Sequence, residues 1–89
     1  MPNAQRITKR TSELQIGEYI TLADQDVLLR VVGAPTPRML SIRRLEGHYA
    51  GAVFSAGHQL GRRWAVIPAE EAKSRIARQA EAMLMALVS

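Results

Sequence analysis

Arg62-Arg63-Trp64 is the densest concentration of binding chemistry in the chain. Two guanidiniums beside an indole combine forked donors for a phosphate with a flat ring on which a base could stack. Arg43-Arg44 repeats the arginine pair, and Arg38 precedes it by five residues. Lys9 and Arg10 add a third basic cluster near the N-terminus. In an extended strand Arg62, Trp64 and Val66 would share one face, while Arg63, Ala65 and Ile67 share the other. Trp64 beside Val66 is a core pattern, so we read the ring as core and the arginines as the contact groups. Lys9, Arg10, Arg38, Arg43, Arg44, Arg62 and Arg63 are thus the candidate nucleic-acid contacts. Tyr19, Tyr49 and Phe54 are the remaining aromatics, and an aromatic content of 4% is low for a protein that stacks bases. Backbone contact or shape recognition fits better than base stacking.

Other chemistry is sparse. His48 and His58 would fall in successive loops, but two imidazoles need a third or fourth ligand to hold a metal. His58 near Ser55, with Asp24 or Asp26 elsewhere, does not make a triad, because no nucleophile elbow is present. Gly51, Gly57 and Gly61 fit no phosphate-loop spacing. With no cysteine, the chain has neither disulfides nor thiolate metal sites. No catalytic residue, metal or cofactor is expected, and we read the protein as a non-enzyme.

The charge balance points the same way. Ten arginines and two lysines stand against eight acidic residues, for a net charge of +4. Residues 1–68 hold nine basic and five acidic residues, and residues 69–89 hold three of each, so the whole excess lies in the first segment. An arginine-rich basic domain suits nucleic acid or another acidic partner. The opening segment to Ser12 lacks the apolar core of a secretory signal, and no window is long and apolar enough for a membrane span. With the absent cysteines, this predicts a cytoplasmic protein with no membrane partner.

These residues need elements to position them. Residues 1–13 read as a basic, flexible N-terminal arm. Residues 14–68 read as five short strands: Ile16–Leu22, Val27–Val32, Arg38–Leu45, Ala52–Ser55 and Arg62–Ile67. Glycine-rich turns separate them, with Gly33–Pro37 read as a loop. Five such strands predict a small antiparallel barrel of SH3-like or Sm-like shape. Residues 69–89 read as one long α-helix, begun by Pro68 and supported by a Glu71–Arg75 pair. Ile76, Ala80, Met83, Leu84 and Leu87 form a buried-face stripe, and Met83–Val88 is apolar all round. Such an end covers the protein's own core, meets the same helix of a second copy, or is partly disordered. Met83, Leu84, Met85, Leu87 and Val88 are the candidate oligomer interface, most simply of a homodimer.

Ile7-Thr8-Lys9-Arg10, Ile16-Gly17-Glu18 and Val31-Val32-Gly33 resemble the start of carbon storage regulator proteins, small RNA-binding β proteins that dimerise by exchanging strands. The sequence departs from that family at the end, where the arginine after the last strand would fall near Pro68, and its central loops are longer. The resemblance implies RNA in preference to DNA. The expected function is therefore a small regulatory protein that binds nucleic acid through an arginine-rich face. The alternative is a protein-interaction module, an adaptor or inhibitor of phage or plasmid type, that uses the apolar helix and an acidic protein partner.

Overall fold

A computed structural model of the chain describes residues 6–22, 25–58 and 61–88. Among them are six strands, β1 (Thr8–Arg10), β2 (Tyr19–Leu22), β3 (Gln25–Thr36), β4 (Met39–Arg44), β5 (Val53–Gly57) and β6 (Arg63–Ile67), followed by α1 (Ala69–Val88). They form one antiparallel sheet in the order β1-β6-β2-β3-β4-β5. The protein is mainly β with a C-terminal helix. The strand count is six rather than five, and the sheet is not closed: β1 and β5 are its two edges, and no ladder joins them among the described residues.

The added strand comes from the expected flexible arm. Thr8, Lys9 and Arg10 pair with Ala65, Trp64 and Arg63, and a 3₁₀ turn follows over Thr11–Glu13. What fixes this segment is Thr11. Its side chain is fully buried, and its hydroxyl accepts the indole Nε1–H of Trp64 over 2.9 Å. A polar donor on a core tryptophan must find a partner, and here the N-terminal segment supplies it. Residues 1–5 of the expected arm lie outside the described residues.

The Gly33–Pro37 loop is also corrected. β3 runs through Pro35 to Thr36, with register shifts between Val31 and Gly33 and between Gly33 and Thr36. Beyond Val31 no backbone bond to β2 is needed, so Pro35 sits where β3 has become an edge, a position proline tolerates. The turn is at Pro37-Arg38 instead.

One face of the sheet carries Leu14, Ile20, Leu29, Val31, Leu40, Ile42, Ala56 and Trp64, the main core. On the other face Leu28 and Ile67 pack with Ala72, and Tyr19 and Leu45 flank them. The helix starts where expected: Pro68 ends β6, and the Ala72 N–H donates to the Pro68 carbonyl over 3.0 Å. Ala72 is the one buried residue among those described in α1.

Tertiary ion pairs replace the expected Glu71–Arg75 pair. Arg75 donates to Glu46 through Nε over 2.9 Å and through Nη2, and to Asp26 Oδ1 over 3.1 Å. Gln79 Nε2 also donates to Glu46, and Glu71 pairs with Arg6. Glu46 is buried and accepts the Leu28 backbone N–H over 2.8 Å as well. Its hydrogen bond raises the Arg75 pKa above the ordinary value, opposed by burial and helped by Asp26. One carboxylate thus fastens strand β3, the β4–β5 loop and the helix.

Past Gln79 the large apolar side chains of the helix are exposed. Met83, Leu84, Met85, Leu87 and Val88 are between 62 and 83% exposed, and Ile76 is 38% exposed. The reading in which this helix end covers its own core does not hold. Among the described residues no helix is long and apolar enough to cross a membrane.

Candidate nucleic-acid interface

Strand register sorts the candidate arginines. On β6, Trp64 turns into the core with 1% exposure, so Arg63, Ala65 and Ile67 occupy the opposite face. Ile67 pairs with Tyr19, Tyr19 with Arg30, Arg30 with Arg43, and Arg43 with Val53. Tyr19, Arg30 and Arg43 therefore form one row across that face. Arg10 pairs with Arg63 on the same side of the sheet. Two arginine pairs directly opposed across ladders, Arg30–Arg43 and Arg10–Arg63, thus share the face away from the main core.

Directly opposed like charges destabilise a sheet. Among the described residues none of these four guanidiniums forms an ion pair. The ion pairs are Arg6–Glu71, Lys9–Glu18, Arg75–Asp26 and Arg75–Glu46. Arg10, Arg30, Arg38, Arg43, Arg44, Arg62 and Arg63 take part in none of them. Arg30 lies 4.8 Å over the Tyr19 ring and donates to the Gly17 carbonyl over 3.3 Å. Arg63 is held on Thr8, with Nε to the Thr8 hydroxyl over 3.1 Å. Arg43 has neither kind of support. Arg30 and Arg63 are thus oriented by a ring, a hydroxyl and carbonyls and not by a carboxylate.

The other candidates are dispersed. Arg44 points to the rim of the core side, 6.0 Å from the Tyr49 ring centre. Tyr49 is exposed and meets His48 edge-on at 5.2 Å. Arg62 lies 5.9 Å from the Trp64 ring, and Arg38 is exposed in the β3–β4 turn. Lys9 is neutralised by Glu18 at 2.9 Å. β4 and β6 are separated by β2 and β3, about 14 Å at usual strand spacing, and Arg63 stands about 13 Å along β6 from Ile67, which shares the row of Arg43, so the two arginine pairs are roughly 20 Å apart. They do not pool into one cluster.

Arg30 and Tyr19 are absent from the sequence-based set. Arg30 reads from sequence as the one charged member of a buried strand, needing a partner or a rim. The structure gives it a ring, a carbonyl and a second arginine. The two histidines lie apart: His48 is in the β4–β5 loop, and His58 follows β5 with its backbone N–H on the Arg38 carbonyl. Among the described residues no three of His, Asp and Glu converge as a metal site would require.

No family model, curated protein or solved structure matches the chain. The resemblance to carbon storage regulator proteins therefore carries nothing beyond the residues that suggested it.

Proposed function

We propose that the protein binds nucleic acid through the arginine-bearing sheet face and acts as a small, non-enzymatic regulator in the cytoplasm. The observation that carries this is the opposed Arg30–Arg43 pair without a carboxylate. A phosphate between the two guanidiniums would turn a repulsive cross-strand contact into two charge-assisted ones. Arg10–Arg63 supplies a second such position, and Arg38, Arg44 and Arg62 extend the positive field around the sheet. Buried Trp64 and the small number of exposed rings favour contact with the sugar–phosphate backbone. The preference for RNA over DNA rests on the partial sequence resemblance alone. We read the open six-stranded sheet as a relative of the SH3-like or Sm-like barrel shape, able to present one face to a polymer.

The test is a titration with generic RNA and DNA oligonucleotides at low and moderate salt. Binding should weaken steeply with salt, because each phosphate contact releases a counterion. No binding at low salt would end the proposal. The second reading, an interaction module for an acidic protein, draws on the exposed helix end. It predicts that Met83→Glu abolishes partner capture while Arg43→Glu only weakens it.

A further inference from the structure

We propose that α1 pairs with α1 of a second copy, antiparallel, through Ile76, Ala80, Met83, Leu84 and Leu87. At 100° per residue these five positions fall within one stripe, with Val88 toward its rim and Met85 on the opposite side of the helix. Side chains of this kind contribute roughly 60–120 Å² each on the transfer scale, so the exposed helix end presents on the order of 400 Å² per chain. That equals the largest apolar patch a monomer ordinarily leaves in water. Two such faces amount to about 800 Å², rising toward about 1,000 Å² with the aliphatic stems beside them, the size of a small, concentration-dependent interface.

Charge selects the occupant. Residues 69–89 carry no net charge, whereas residues 1–68 carry +4. Two sheets repel each other, and two distal helices do not. An antiparallel pair also sets the sheets at opposite ends and aligns the helix dipoles favourably. With Ile76 opposite Leu87 of the second copy, the helix bases lie roughly 40 Å apart. The Glu46 fastening holds each base to its own sheet. Resting on the nucleic-acid reading, this gives one molecule with two separated arginine faces, able to hold one strand at two points.

The experiment is light scattering and sedimentation of the full chain, free of nucleic acid, in salt high enough to suppress phosphate binding. The expected mass is twice 9.8 kDa, falling to 9.8 kDa for Leu84→Glu and for Leu87→Glu. Each variant should keep the β-sheet circular dichroism and a cooperative thermal transition. Arg43→Glu should remain a dimer, which separates this proposal from the nucleic-acid reading. Oxidised mixtures of Ile76→Cys and Leu87→Cys, in a chain with no other cysteine, should give 76–87 cross-links. A wild-type monomer at all concentrations overturns the proposal, including one whose helix end then binds lipid vesicles or a different protein. A dimer that survives both glutamate substitutions also overturns it, and 76–76 cross-links overturn the antiparallel arrangement.

Discussion

Arg43 lies directly opposite Arg30 across the β3–β4 ladder, and among the described residues neither guanidinium forms an ion pair. Stability and binding should therefore move in opposite directions at this position. Arg43→Gln removes the like-charge contact and should leave stability unchanged or raise it by up to about 0.5 kcal/mol. The same variant should bind oligonucleotides more weakly and show a shallower salt slope. Chemical unfolding and the titration, run on one preparation, check both.

The Trp64–Thr11 hydrogen bond predicts a loss out of proportion to its size. Thr11→Val keeps the shape of the side chain but strands a buried indole N–H, at a cost of about 1–3 kcal/mol. Thr11→Ser keeps the acceptor and should cost less. Urea unfolding followed by the fluorescence of the single tryptophan measures the difference.

Glu46 should be among the most sensitive polar residues. Glu46→Ala leaves Arg75, Gln79 and the Leu28 N–H without their acceptor. Removing one partner of a buried pair costs several kcal/mol, and about 3 kcal/mol is expected here because Asp26 still faces Arg75. Thermal unfolding checks it.

The raised Arg75 pKa carries a sign that can be tested. A cation whose pKa is higher when folded contributes stability that is complete below its unfolded pKa. That contribution is lost only as pH rises through the folded value. Both values are strongly alkaline, so the destabilisation caused by Arg75→Gln should be equal at about pH 6 and about pH 9 if only Arg75 titrates. Unfolding curves at the two pH values check this.

Gly51 closes the β4–β5 loop with φ of +94°, and its N–H donates to the Arg44 carbonyl over 2.7 Å. A side chain meets no neighbour there, so Gly51→Ala isolates the backbone cost, about 1–2 kcal/mol. The melting temperature should fall accordingly.

Local patterns made much of this fold legible. Pro68, Glu70 and Glu71 mark the start of α1, and the alternation around Trp64 marks it as core. What local pattern did not carry was pairing. β1 has three residues and no hydrophobic alternation, and only its neighbour β6 and the Thr11–Trp64 bond reveal it. Register hid the site as well. Continued without interruption from the Thr36–Met39 pair, the hairpin would set Arg30 opposite Leu45, whereas the two irregularities in β3 bring Arg43 there. Likewise the spacing of Glu71 and Arg75 suggests a pair along the helix, but Glu46 offers Arg75 a better desolvated partner from across the fold.

The position of Glu46 also divides the helix into two regimes of sequence freedom. Up to Gln79, each turn answers to a group on the sheet, and a change there is constrained by strands far away in sequence. Past Gln79 that obligation ends, and the apolar tail can drift, lengthen or change its partner without unsettling the sheet. A chain cut after Gln79 should still fold, while one cut before Arg75 leaves a carboxylate buried without its cation. The same twenty-residue helix is thus a structural strut for its first half and an exchangeable handle for its second.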